Sequence, residues 1–244
     1  MTAFLSLTGV LAKRTLRDPA AIFFMLAFAP FFAIVMGLIF GNEPDPQFGG
    51  VGYMDANLVN FSAIVVAIAG IVLVPIDLVG QRESGALRRF RATPLKPATY
   101  IAADIAVRWV IALAGIALML AVGILGFGAH PEGNLSGVLL MSALGILAFL
   151  SIGYALTALV PTLGVAQLVG NVVVYPLIML SGATVPLSVL PEAVSKVAIW
   201  SPLTQLVQGL QGWWLAAPTW TPVAVMAGVI ALAAMVAGRY FRWE

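Results

Sequence analysis

Three ionisable side chains, Asp77, Asp104 and Arg108, interrupt otherwise apolar stretches of the chain, and a charge so placed needs a partner or a task. Asp104 and Arg108 are four residues apart, so a helix puts them on one face where they can pair. Such a pair is either a local anchor that sets helix depth or a polar collar at the mouth of a path. Asp77 stands alone near the end of its apolar run. That is too close to the edge for the mid-membrane ionisable group of an ion-coupled carrier. The uncharged Tyr154, Thr157, Gln167, Asn171, Tyr175 and Ser181 can bond between helices or line a conduit. Hydrolytic chemistry finds no constellation: the serines have no neighbouring base, and the carboxylates do not pair across a candidate cleft. The one histidine, His130, lies in a Gly- and Pro-flanked turn. With no cysteine there is no disulfide framework and no His/Cys metal site, so no metal is expected.

The densest polar stretch is residues 81–100, which places Arg82, Arg88, Arg89, Arg91 and Lys96 together in a chain where 9% of residues are charged. Charge alone suits a topology anchor. The order of residues suits more: Glu83 to Phe90 can form a short amphipathic helix with Leu87 and Phe90 on one side, ended by Thr93-Pro94-Leu95. A structured charged helix between two apolar runs is fitted to dock another protein.

The elements that must position these groups are helices in a bilayer. The chain has 244 residues, 61% of them hydrophobic, and a mean hydropathy of +1.05, against roughly 45–50% apolar residues in soluble domains. This composition predicts an all-α integral membrane fold, one transmembrane domain over 1–244, with about six spans of roughly 20 residues. The net charge of +2 and pI near 9.2 imply no nucleic-acid partner, because in such a chain the placement of basic residues matters more than their sum. An amphipathic stretch over 1–19 reads as an interfacial helix, and no removable signal peptide is expected before the first span. Spans are expected at about 20–40, 58–79, 101–127, 136–160, 165–180 and 222–238, with a polar loop at 41–57. Between 181 and 221 two apolar pieces are too short to cross and are broken by prolines and glycines, which suits re-entrant or interfacial helices. With six spans the basic residues of the N-terminal stretch, the 81–100 island and the C-terminal tail share one side, leaving Lys196 opposite. Both termini are therefore expected in the cytoplasm, in a multi-pass protein of the cell membrane. No internal repeat is evident, which weakens an inverted-repeat carrier.

Two sets of residues bear a family resemblance. Arg82-Glu83-Ser84-Gly85-Ala86-Leu87 with Ala92-Thr93-Pro94-Leu95 resembles the Glu-x-Gly-Thr-Leu and Thr-Pro-Leu segments of ABC transporter permeases of the type-2 exporter class. Ser181 to Leu187, Leu190-Pro191 and Ser201-Pro202-Leu203-Thr204 resemble that class's Ser-Gly-x-x-x-Pro, Leu-Pro and Asn-Pro-Leu-Thr pattern. Ser201, Ala86 and Gln211 depart from the usual Asn, Thr and Arg. The resemblance covers essentially the whole chain and implies a non-catalytic permease subunit that exports a hydrophobic or amphipathic, drug- or lipid-like substrate. It implies a coupling helix drawn from Glu83, Gly85, Leu87, Arg88, Arg89, Phe90 and Arg91, inserted into a separate ATPase with Leu87 and Phe90 as apolar anchors. Two ATPase copies and a second permease, identical or similar, are implied. ATP and Mg would be used by the ATPase, with no cofactor bound by this chain. A glycan exporter, or a secondary carrier needing no ATPase, are the alternatives.

Overall fold

The computed structural model describes residues 2–46, 50–87 and 96–240, with side chains from Phe4 onward. Among them there is no strand. An amphipathic helix, α1 (Thr2–Thr15), leads into six helices long and apolar enough to cross a membrane. These are α2 (Pro19–Phe40), α3 (Tyr53–Glu83), α4 (Pro97–Gly126), α5 (Leu135–Leu159), α6 (Leu163–Leu180) and α9 (Thr221–Tyr240). Two short helices, α7 (Glu192–Ala198) and α8 (Pro202–Trp214), stand between α6 and α9.

Local chemistry sets most boundaries. Asp18 accepts hydrogen bonds from the Ala20 and Ala21 amides at 3.0 and 3.2 Å, and Pro19 fills the first helical position, so α2 starts there. Thr162 caps α6 by accepting from Val165 N. The start of α3 differs from the sequence expectation by five residues, because its cap comes from outside the local chain. Asn42 Oδ1 accepts from Asp55 N at 3.0 Å across the connecting loop, so Asp55 and Asn57 lie on the helix rather than in the loop. At its other end α3 continues to Glu83, four residues past expectation, and stops where Gly85 takes the left-handed conformation, φ +72°. With 31 residues α3 is about 46 Å long.

Helix α5 is the hub. It packs along α9 and also meets α3, α4 and α8. Its crossing with α3 is backbone on backbone. A Cβ added to Gly153 would come within 2.2 Å of Gly70 O, and one on Gly70 within 2.3 Å of Phe149 O. Small residues at such a crossing let helices approach where no hydrophobic effect drives them together. Gly70 lies in one of three wide turns with i→i+5 hydrogen bonds, Phe23–Ala27, Ala69–Leu73 and Val122–Gly126. By contrast α6 meets its neighbours on one side only, chiefly α3, and leaves most of its surface bare.

Both ends of the described chain reach the same end of the bundle. Arg14 of α1 meets Asp77 there, and Gly238 near the end of α9 faces Ala98 at the start of α4. Lys13, Arg14, Arg17, Arg82, Lys96 and Arg239 belong to this basic end. At the far end α8 is fastened to the α4–α5 turn and to α3: Gly133 N donates to Trp214 O, Trp214 Nε1 donates to Asp55 O, both at 2.8 Å, and His130 N donates to Asp55 Oδ1 at 2.7 Å. His130 acts here through its backbone.

Candidate functional site

The last turn of α3 explains why an Arg-Glu-x-Gly sequence stands at this junction. Helix α5 ends at Leu159 and α6 begins at Leu163, so a tight turn presents free carbonyls beside free amides. Arg82 donates to Val160 O and, at 2.9 Å, to Pro161 O. Glu83 Oε1 accepts from Leu163 N at 2.8 Å. The cation therefore sits on the negative end of one helix dipole and the anion on the positive end of the next. Gly85 then supplies the left-handed residue that turns the chain away. These contacts tie the start of the 81–100 loop to the α5–α6 turn about 80 residues away.

Two expectations for this loop are corrected. Glu83 is the last residue of α3 and not the start of a separate amphipathic helix; helical backbone resumes only at Ala86–Leu87, beyond the Gly85 break. Leu87 is 1% exposed and belongs to the internal core, so it is an anchor for this chain's own packing and not a free apolar knob. Arg88, Arg89, Phe90 and Arg91 lie outside the described residues.

A second assembly lies deeper. Arg108 Nε is 2.5 Å from Asp104 Oδ2, the pair that the four-residue spacing predicts. Arg108 Nη2 also donates to Asp77 Oδ2, and Arg14 Nη2 lies 2.6 Å from Asp77 Oδ1. Gln81 donates to Asp77 at 3.1 Å and accepts from Tyr100, also at 3.1 Å, while the Tyr154 hydroxyl donates to Asp104. Asp77 is thus no lone carboxylate but the bridge between α1, α3 and α4. The Asp104–Arg108 pair is buried within the bundle, the two side chains 1% and 4% exposed. Arg108 and Asp77 form one wall of a cleft of about 380 Å³ at the basic end, shared with Asp18, Ser84 and Leu163, and Asp104 lies behind them.

The far half of the bundle holds a different kind of cavity. A cleft of about 620 Å³ lies between α2, α3, the segment after α6, and α8. Phe32 and Phe61 meet edge to face at 4.9 Å between ring centroids on one side. Asn57, Asn60, Gln208 and Gln211 line another, with Gln211 donating to Asn60 Oδ1 at 3.0 Å. None of the lining residues is acidic or basic.

The family sequence model described as ABC-2 type transporter matches residues 2–214. The chain belongs to the ABC-2 type transporter family. No curated protein matches the chain. The family supplies what the geometry has no means of naming: this is a permease subunit, a membrane-embedded part of an ABC transporter, and such permeases generally work with an ABC ATPase.

Within this permease the expected path residues separate into three groups. Tyr154 and Thr157 are buried in α5, Tyr154 on Asp104 and Thr157 on Gly153 O at 2.8 Å. Ser181 caps the end of α6, donating to Ile178 O at 2.7 Å and accepting from Ala183 N at 3.1 Å, at the edge of the far cavity. Gln167, Asn171 and Tyr175 follow one another every four residues along the bare face of α6, and Tyr175 is 62% exposed. The amide and aromatic residues of the far cavity were missed by sequence reasoning. The signal available for them was a run of Asn57, Asn60 and Phe61 at helical spacing, hidden because the loop was extended to Asn57.

Proposed function

We propose that this permease pairs with a second copy, or a similar permease, and exports an uncharged or weakly cationic amphiphile under the drive of two ATPase subunits. The observation that carries the cargo class is the far cavity, whose aromatic rings and neutral amides offer stacking and hydrogen bonds without fixed charge. Pairing is supported by α6. Amide groups on a lipid-facing surface are costly, so the Gln167, Asn171 and Tyr175 face is best covered by the second permease across a shared conduit. The positive-inside bias puts the basic end and both termini in the cytoplasm. The short helices α7 and α8 then stand outside as a re-entrant lid beside the cavity.

Drive enters at the loop after Gly85. Docking of Phe90 and the arginines around it on the ATPase would be passed by Gly85 to the Arg82–Glu83 clamp, and from there to α5 and α6 together. The test is ATP hydrolysis and transport in lipid nanodiscs by the permease co-purified with its ATPase. Phe90→Asp should release the ATPase or abolish cargo-stimulated hydrolysis. Asn60→Ala and Phe61→Ala should keep basal hydrolysis and weaken its stimulation by cargo. If the isolated permease transports without any ATPase, the reading is wrong and a secondary carrier takes its place.

A further inference from the structure

On the side of the bundle away from α6, helices α4 and α9 both pack on α5 but do not close against each other. They leave a groove of about 740 Å³. Ala102 and Ala106 of α4, Ala143 of α5 and Ala234 of α9 form its walls, and small side chains there leave width that larger ones would fill. From Ala98 at the basic end to Trp109 the groove follows twelve residues of α4, about 16 Å, close to half of a hydrocarbon core about 30 Å thick. It therefore spans one leaflet. Toward its inner end stands Trp109, whose indole N–H donates to Ala143 O at 2.8 Å.

The interior offers an occupant only hydrocarbon contact. Ser151 and Tyr154 carry the hydroxyls that line it, and each is already bonded, Ser151 to Leu147 O at 2.7 Å and Tyr154 to Asp104. The mouth is opposite in character. Lys96 precedes Ala98 by two residues at the N-terminus of α4, and Arg239 follows Gly238 in the last turn of α9. Both are exposed and neither is in an ion pair with a described residue. The nearby carboxylates are engaged elsewhere: Asp18 on the start of α2, Asp77 on Arg14 and Arg108, Glu83 on Leu163.

We propose that this groove holds one acyl chain of an anionic phospholipid of the leaflet at the basic end, with the phosphate headgroup between Lys96 and Arg239. A slot one leaflet long, apolar inside and doubly basic at its rim, fits that molecule better than a sterol or a zwitterionic lipid, which bring no net negative charge. The occupant would pack on the Tyr154 ring and so abut the ion network from behind. The site is separate from the far cavity and from the conduit face of α6.

The experiment is native mass spectrometry of the full chain taken from nanodiscs of mixed phosphatidylglycerol and phosphatidylcholine. The expected result is retention of one phospholipid per chain with about thirtyfold preference for phosphatidylglycerol, the scale set by two basic residues at a membrane surface. Lys96→Gln/Arg239→Gln should bring that preference near unity, whereas Lys13→Gln/Arg17→Gln, which removes two exposed charges from the same end outside the groove, should leave it. Ala102→Phe/Ala234→Phe should abolish retention of either lipid. Equal retention of the two lipids by the unaltered chain, or equal effects of the two charge-removing pairs, would overturn the proposal, as would undiminished retention after the groove is filled. The charge-removing variants change only exposed side chains, so the outcome does not depend on the filled-groove variant folding.

Discussion

The two ends of this permease use polar groups in opposite ways. At the basic end, five ionised side chains, Arg14, Arg82, Asp77, Asp104 and Arg108, bind helix to helix, each committed to a partner in the same chain. The far cavity is instead lined by neutral polar groups, amides among them, held by single neutral bonds such as Gln211–Asn60. Charges buried in pairs fix an arrangement, because separating them in a low-dielectric interior is costly. Neutral amides beside aromatic rings can exchange partners at small cost. Under the proposed function, this contrast would give rigid transmission to one end and contact with cargo to the other.

The sharpest way to break that contrast is at Arg108, which joins both carboxylates. Arg108→Ala leaves Asp104 buried and unpaired, which should cost on the order of 3–5 kcal/mol. The expected result is loss of the folded permease from the membrane fraction, or a large fall in thermal midpoint by fluorescence-detected size exclusion. Adding Asp104→Asn to Arg108→Ala should recover part of the loss, since it removes the orphaned charge. If Arg108→Ala retains the original midpoint, the network is ornamental and the comparison fails.

Next in size is the clamp. Arg82→Ala gives up its bonds to the α5 carbonyls, and charged hydrogen bonds of this kind are worth about 1.5–3 kcal/mol. Arg82 is half-buried, so solvent screens part of this. What distinguishes transmission from stability is coupling. Arg82→Ala and Glu83→Ala should leave the ATPase bound and hydrolysing while cargo transport per ATP falls several-fold. Equal loss of hydrolysis and transport would point to a docking role instead.

Between the two ends lies the α3–α5 crossing, and it sharpens the comparison by testing whether they move as one body. Gly153→Ala must push Gly70 O away, and overpacking of this order costs roughly 1–3 kcal/mol. Transport should fall, because the crossing joins the network to the far cavity, and the thermal midpoint should fall with it. Gly164→Ala, in open space, is the matched control and should change neither.

How much of this could be seen in the sequence follows from how far apart the partners are. The six spans, the re-entrant-length pieces after α6 and the Asp104–Arg108 pair follow from hydropathy and four-residue spacing, which are local. Asp77 read as solitary because its charged partners are 31 and 63 residues away. Leu87 read as a docking knob because an amphipathic pattern marks an apolar face without saying what covers it; the chain's own core does. Glu83 showed as part of a motif, but its bond to Leu163, across 80 residues, was outside any window. The start of α3 was misplaced for the same reason, its cap being lent by Asn42.

The smallest effect, and the one that decides the cargo side of the contrast, is at the Asn60–Gln211 bond. The two residues are 151 apart in sequence, one on α3 and one on α8, so the bond ties the lid segment to a span. Losing one neutral hydrogen bond is worth about 0.5–1.5 kcal/mol, too little to unfold the protein but enough to move an apparent affinity two- to tenfold. Gln211→Leu frees the Asn60 amide toward the cavity. For a neutral amphiphile that needs the amide as a partner, the apparent KM for cargo-stimulated hydrolysis should fall, whereas Asn60→Leu should raise it. Opposite signs from the two ends of one bond require cargo to meet Asn60 directly. The same sign from both would mean that the bond only holds the lid in place, and the far half would then be structural like the basic end.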